Sequence, residues 1–315
     1  MERYYSKDQV DKDFGPSAVT IGKFDGVHAG HRAVIRQLRK IASARDLTAT
    51  VVTFDRHPLS LLSPEACPEA LVSVDQKLDL LEDTGIDATV ILAFDHALSE
   101  ISPEAFVQTI VVDTLHARAV LVGADFRFGR HGAGTVDLLK QLGKAAGFEV
   151  LVIEDVALED GRRVSSTWIR ELLAAGDVDR AAQLLGSRPR VRSMVIHGAH
   201  RGRELGYPTA NLSPDIEGYI PADGVYAATL LVDSTRHPAA VSVGNNPTFD
   251  GVAERQVEAH ALEQDIDLYG RVVEVEFVAY VRGMVKFDTA EQLSTQMRAD
   301  DLAVRSILGI DSRDS

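Results

Sequence analysis

At 315 residues, with 45% hydrophobic and 25% charged side chains, the chain has room for two globular domains, each large enough to bury its own core. Its 47 acidic residues against 33 basic ones give a net charge of -14, which repels polyanions and argues against a nucleic-acid partner. With one cysteine, Cys67, no apolar stretch of bilayer length, and a start (MERYYSKDQV) without a signal peptide's apolar core, a reducing, cytoplasmic setting with no membrane partner is expected.

From residue 17 onward, short apolar runs alternate with stretches of helical period. SAVTIG is followed by HRAVIRQLRKIASA, in which Val34, Leu38 and Ile41 recur at three- and four-residue spacing. ATVVTF, ATVILAF, AVLVG and FEVLVI read as further buried strands, with PEAFVQTIVVDTL and GTVDLLKQLGKAAG as helices among them. Strand and helix in alternation predict an α/β domain with a parallel sheet covered on both faces. Cys67 falls in the proline-bounded loop LLSPEACPEAL and reads as an inert loop residue.

After RPRV at 188–191 the pattern changes. VRSMVIHG, GVYAATLLV, AAVSVG, VEAHAL and RVVEVEFVAYV follow one another with turn residues between them, the pattern of an antiparallel sheet or small barrel. The amphipathic stretch FDTAEQLSTQMRADDLAVRSIL then closes the chain as one long helix, with Asp288 or Thr289 as its N-cap. The domain boundary is expected at 185–189, giving domains 1–186 and 187–315, and no internal repeat is visible.

The stretch GKFDGVHAGH at 22–31 carries the first chemistry. His28 and His31 fall where a strand's carboxyl end turns into a helix, the place where open α/β sheets bind ligands. Gly22, Gly26 and Gly30 allow close approach of the backbone to a phosphate, and the N–H groups of the helix start favour anions. Both imidazoles can donate to one phosphate and stabilise charge developing on phosphorus. A zinc half-site or a merely polar turn are the alternatives, although no third zinc ligand stands nearby at a telling spacing. The stretch matches neither the dinucleotide-binding nor the P-loop pattern.

IGKFDGVHAGH resembles the HxGH signature of nucleotidyltransferases, and its FDGVHxGH form is similar to that of the prokaryotic bifunctional riboflavin kinase/FMN adenylyltransferases, the FAD synthetases. A second signature of that family, SSTxIR, has its counterpart in VSSTWIRELLAAGDV, with Ser165, Ser166, Thr167 and Arg170. Hydroxyls at a helix start with an arginine one turn on suit a phosphate, whereas an ordinary N-cap would use one hydroxyl only. TFDRHP at 53–58 and GADFRFGRHGAG at 123–134 are similar to the family's flavin and nucleotide loops. Here Arg56 stands where the family often has proline, and Asp125 where it often has asparagine; the aspartate keeps the acceptor and loses the amide donor. The resemblance implies a Rossmann-like nucleotidyltransferase domain whose nucleotide and phosphate contacts come from Gly22, Phe24, Asp25, His28, Gly30, His31, Asp125, Ser165, Ser166, Thr167 and Arg170.

In the second half, HGAHRGRELGYPTANL at 197–212 is glycine-rich and basic and ends in a Pro-Thr-Ala-Asn turn, a candidate Mg-ATP site or simply a solvated turn. GRELGYPTANL, GVYAA, SVGNNPTF, VEAHAL and DLYG occur in the order found in riboflavin kinase, so the resemblance covers nearly the whole chain. It implies a riboflavin-kinase-type barrel in which Thr209 and Asn211 hold Mg²⁺, with Gly198, Arg201, Gly202, Arg203 and Arg282 also at the ATP and flavin site. Glu258 would be the general base for the ribityl terminal hydroxyl, a weak nucleophile that needs its proton accepted. The expected reactions are phosphorylation of riboflavin to FMN and adenylylation of FMN to FAD, each consuming ATP. A nucleotidyltransferase for another phosphate fused to a binding barrel, or a flavin sensor, are the rivals, and homo-oligomerisation is left open. The lone histidines His96, His116 and His237 are expected to have no role in the chemistry.

Overall fold

The alternating first half becomes a six-stranded, all-parallel sheet: β1 (Glu2–Tyr4), β2 (Ser17–Ile21), β3 (Thr48–Phe54), β4 (Ala88–Leu92), β5 (Ala117–Gly123) and β6 (Glu149–Ile153), in the order β1-β4-β3-β2-β5-β6. This computed structural model describes residues 1–153, 161–197, 207, 209–244, 255–262 and 266–310. Between the strands run α1 (Ala29–Ala44), α2 (Leu59–Leu62), α3 (Val74–Glu82), α4 (His96–Ser99), α5 (Pro103–Phe106) and α6 (Val136–Ala146), with α5 continuing as a π-helical segment, Val107–Thr114. The sheet is covered on both faces, as its uniformly apolar strands require. Val120 and Val122 of β5 pack with Phe106 and Val111, while the alternate residues Ala119 and Leu121 pack with Ile35 and Leu38 of α1. Strand β1, short and polar at the sheet edge, gives no periodic signal and was not expected from the sequence.

Strand order reverses between β2 and β5, so the carboxyl ends of these two neighbours frame the switch point where an open α/β sheet leaves a crevice. Both segments singled out in the sequence, the turn after β2 and the loop after β5, leave from this point.

The second half folds as α7 (Ser166–Ala174) and α8 (Val178–Leu185), followed by a closed antiparallel barrel and a final helix. The barrel strands are β7 (Arg190–Ile196), β8 (Ala210–Leu212), β9 (Gly224–Val232), β10 (Thr235–Gly244), β11 (Gln256–Ala261) and β12 (Val272–Arg282), in the order β10-β11-β8-β7-β12-β9. Its interior is filled by alternate side chains, among them Val241, Val243, Val257, Ala259 and Val275, with Tyr226 and Phe277 in edge-to-face contact at 5.2 Å. Helix α9 (Ala290–Leu308) is capped by Thr289, whose hydroxyl accepts the Gln292 N–H at 3.2 Å, and it lays Val304 against Ala227 and Leu262.

The chain divides into two compact units, Met1–Ser165 and Ser166–Ser315, so α7 and α8 group with the barrel. Within the second unit the Ala222 N–H donates to the Leu173 carbonyl at 2.8 Å, and Gly176 lies so near Tyr280 that an added Cβ would sit 3.2 Å from its ring. The PTAN stretch read as a turn is in part strand: Ala210 and Asn211 pair with β11, and Asn211 and Leu212 with β7. Two neighbouring strands with open ladder positions outweigh the turn preference of asparagine.

Candidate active sites

The turn from β2 into α1 is held in a conformation that only its surroundings can maintain. Phe24 and Val27 adopt φ of 49° and 40°, costly for any side chain and most of all for a β-branched one. Both are buried, at 2% and 0% exposure, and Asp25 is anchored by accepting the Leu71 N–H at 2.9 Å. Asp25, expected at the nucleotide, thus also has a structural task. Gly26, at φ 80°, supplies the left-handed residue between them.

This turn delivers His28 as the N-cap of α1, with its Nδ1 accepting the His31 N–H at 3.4 Å. An acceptor Nδ1 places the proton of the neutral ring on Nε2, leaving that nitrogen as a donor. The His31 ring stacks on His28 at 3.7 Å, 18° from parallel, and Phe24 flanks it at 5.0 Å. Gly30 fits closely here, because a Cβ would stand 3.1 Å from the His28 ring, which would have to give by a few tenths of an ångström. Two side chains expected at one phosphate are therefore brought into a single packed stack.

Both rings are neutral at physiological pH. Burial, helped by the charge of Arg163, pulls His28 down to about 4 from its ordinary 6.5. Burial also takes His31 well below that value, with Lys23, Lys77, Arg163 and, when it is protonated, His28 acting in the same direction. The unfolded chain protonates His28 near 6.5 and the folded one near 4, so stability rises with pH across that window and its contribution is flat above it. Thermal melting should drop as the buffer is taken from about pH 7 to about pH 5, and His28→Gln should make that drop shallower.

Positive charge at this site comes instead from residues the sequence reading did not single out. Arg163 donates to Asp125 Oδ2 at 2.9 Å, and this bond, with the charges of Arg163 and Lys23, holds the Asp125 carboxyl below its usual range. Lys77 is buried, donates to the Phe54 carbonyl at 3.1 Å, and is lowered by burial against the opposing charges of Asp25 and Asp55. Lys23 lies at the end of β2, its carbonyl accepting from the Thr53 hydroxyl at 3.1 Å. No helical or strand period marks such residues, and only the fold shows that they converge.

Ser165 closes the first unit; Ser166, Thr167 and Arg170 belong to α7 of the second. Gly22 keeps the Phe24 ring close, at 3.0 Å from where its Cβ would be.

In the barrel, Asn211 on β8 and Glu258 on β11 are direct cross-strand partners, and Ser242 on β10 is the next residue in that row. Val257 and Ala259 point into the barrel at 1% exposure, so Glu258, half-buried between them, stands on the outer face with Asn211. Thr209 lies two residues before Asn211 and is half-buried as well. An amide and a carboxylate thus stand side by side on the outer face. Arg282, expected at the nucleotide or flavin, forms a two-pronged pair with Asp300 of α9, at 2.8 and 2.6 Å. Gly198, Arg201, Gly202 and Arg203 lie outside the described residues. His116, given no role in the chemistry, has its Nδ1 2.7 Å from the Phe14 carbonyl.

Comparison with known proteins bears on both units. Residues 10–168 match the family model described as FAD synthetase, and residues 185–308 the one described as riboflavin kinase. The bifunctional riboflavin kinase/FMN adenylyltransferase of Pseudomonas fluorescens is 37% identical over 288 residues, 91% of this chain and 92% of that one. The protein of the same description from Escherichia coli (strain K12) is 33% identical over 293 residues, 93% of each chain. A crystal structure from Streptococcus pneumoniae, described as a macrolide-efflux protein, matches with a TM-score of 0.84 at 31% identity, covering 96% of this chain and 98% of that one. That description applies to the other protein; here no helix among the described residues is long and apolar enough to cross a membrane. Matched over most of both halves, the chain belongs to the bifunctional riboflavin kinase/FMN adenylyltransferase family.

Proposed function

We propose that the chain phosphorylates riboflavin to FMN on the barrel and adenylylates FMN to FAD in the parallel-sheet domain, using ATP in both steps. The observation that carries this reading is the presence of two separate constellations: the stacked neutral histidine pair at the sheet's switch point, and the Asn211–Glu258 partnership on the barrel's outer face.

In the adenylylation, the FMN phosphate attacks the α-phosphorus of ATP and pyrophosphate leaves. Negative charge grows on the α-phosphoryl oxygens, where the His28 Nε2–H is a preorganised donor that needs no protonation change. His31 lies against it, and Ser165, the last residue of the same unit, is a further candidate phosphate donor. Arg163 and Lys77 provide the positive field that a chain of net charge -14 otherwise lacks. Asp125 offsets part of that field through its bond to Arg163. Asp125→Asn should therefore lower KM for FMN or ATP, by a few-fold at this exposed pair, and leave FMN formation unchanged. A higher KM would show that the carboxylate makes a favourable contact with substrate.

In the kinase step, Glu258 accepts the proton of the ribityl terminal hydroxyl as that oxygen attacks the γ-phosphorus, and the bond from the γ-phosphorus to the bridging oxygen breaks to release ADP. Thr209 and Asn211 offer neutral, hard oxygen donors, which suit Mg²⁺ when ATP phosphates complete its shell. When bound there, the ion would neutralise charge on the transferred phosphoryl group. A reducing, cytoplasmic setting suits a chain with the single cysteine Cys67.

The two activities are separable in this reading, and α7 and α8 bear on where to cut. A fragment beginning at residue 187 spans the riboflavin kinase match almost completely but removes the Leu173 carbonyl from the Ala222 N–H and exposes the surface under buried Leu173, Leu184 and Leu185. Fragments 166–315 and 187–315 should both make FMN and no FAD, with the longer one melting at the higher temperature. Equal melting temperatures would show that the two helices contribute nothing to the barrel.

A further inference from the structure

One side chain near the histidine stack carries its charge where a charge is expensive to keep. Lys77 lies on α3 in a run of buried residues, Gln76 to Leu78, and is only 7% exposed. Its Nζ donates at 3.1 Å to the carbonyl of Phe54, the last residue of β3. The charges that favour its ammonium form are those of Asp25, on the turn after β2, and Asp55, just past β3. Each of these carboxylates has an oxygen committed to the backbone: Asp25 Oδ1 accepts the Leu71 N–H at 2.9 Å, and Asp55 Oδ1 the Phe94 N–H at 2.8 Å. Burial outweighs their attraction and lowers the lysine from its ordinary value. A methionine of similar reach would fill this position without desolvating a charge, so packing alone does not account for the lysine. Charged groups perturbed in this way gather at functional sites.

We propose that Lys77 is a positioning residue of the adenylyltransferase, a buried cation that draws the Asp25 turn towards the end of β3 and so fixes the histidine pair for its phosphate. The inference rests on the adenylyltransferase reading of the first unit. Phe24 and Val27 keep their positive φ only because their surroundings impose it, and Asp25 stands between them. Its carboxylate has two attachments, the Leu71 N–H and the charge of Lys77, and the turn relaxes when either is removed. His28 and His31 follow directly and stack, and the charge of Lys77 is felt at His31 itself. The bond to Phe54 ties the same ammonium to β3, the neighbour of β2 in the sheet, so one group joins the ends of two adjacent strands. Misplacing a reacting group by about 1 Å is enough to lower a rate about 10²-fold. Buried as it is, the ammonium acts through the turn and not by meeting substrate.

The test uses the full chain and three variants: Lys77→Met, which keeps the bulk and loses the charge; Asp25→Asn, which keeps an acceptor for the Leu71 N–H; and the two combined. Turnover and KM are measured in FAD formation, with riboflavin phosphorylation as the control for the second unit. Melting is followed by calorimetry and amide hydrogen exchange peptide by peptide. Lys77→Met should lower kcat about 10²-fold and leave KM for ATP and FMN within about threefold of the wild type. It should melt at or above the wild-type temperature, while exchange in the peptide spanning 22–31 speeds up by about tenfold or more. Adding Asp25→Asn to Lys77→Met should lower activity little further, because both substitutions cut the same attachment. Unchanged kcat overturns the proposal, as does a loss of rate accompanied by a lower melting temperature, the mark of a general structural role. A raised KM at unchanged kcat would show that the ammonium meets substrate, and single effects that multiply in the double variant would show that Lys77 does not act through Asp25; either result overturns it. If the wild type makes no FAD, the reading of the first unit has failed. Exchange at 22–31 then decides alone, and an unaltered rate in Lys77→Met removes the positioning role.

Discussion

Replacing His28 by alanine should slow the conversion of FMN to FAD by about two orders of magnitude or more, the usual scale for one preorganised donor, and leave riboflavin phosphorylation intact. The expectation follows from how the ring is held. Its Nδ1 is committed to the His31 N–H, its plane is stacked on His31, and Gly30 leaves just enough room beside it. Nothing must reorganise for Nε2–H to meet an oxygen on which charge is developing, so the interaction is strongest where the barrier is highest. Losing the ring also removes the N-cap of α1, which costs about 1 kcal/mol of stability. His28→Asn separates the two effects, because it restores a cap without placing a donor at the Nε2 position. It should melt near the wild type and remain slow. FAD formation at the wild-type rate in both variants would remove His28 from the mechanism.

A comparable loss is expected on the other unit. Glu258→Gln should reduce riboflavin phosphorylation by about 10²- to 10⁴-fold, while adenylylation of supplied FMN proceeds normally. The amide is nearly isosteric with the carboxylate, and the side chain stands on the outer face of β11, where the packed interior of the barrel does not depend on it. It cannot accept the proton of a primary alcohol. Because Asn211 faces Glu258 directly across the ladder, Asn211→Ala should raise KM for ATP more than it lowers turnover, and this split distinguishes a phosphate or metal ligand from a base. An active Glu258→Gln variant would require the base to be sought elsewhere.

Much of this was legible in the sequence, for reasons that differ between elements. Strands β2 to β6 announce themselves because a parallel sheet buried on both faces needs continuous apolar runs, and α1 and α6 because one stripe of each faces that sheet. The barrel strands follow from uninterrupted succession with turn residues between them. Strand β1 and strand β8 escape the same reading, since each is three residues long and held by its neighbours rather than by its own pattern. At the sites, His28, His31, Asn211 and Glu258 could be found from motif resemblance, because short segments carry them in a fixed order. Lys77 and Arg163 could not, as they reach the site from two separate segments outside those motifs and neither has a spacing that distinguishes it from a surface cation. The neutrality of the histidine pair was likewise hidden, since it results from burial and nearby positive charge that only the folded chain creates.

One chain carries two ATP-dependent flavin reactions in series. This is tested most directly by incubating the purified protein with riboflavin and Mg-ATP and separating the flavins by chromatography at intervals. FMN should appear first and FAD follow at its expense, with pyrophosphate released in step with FAD. Accumulation of FMN without FAD would contradict the adenylyltransferase assignment, and riboflavin left unchanged would contradict the kinase assignment.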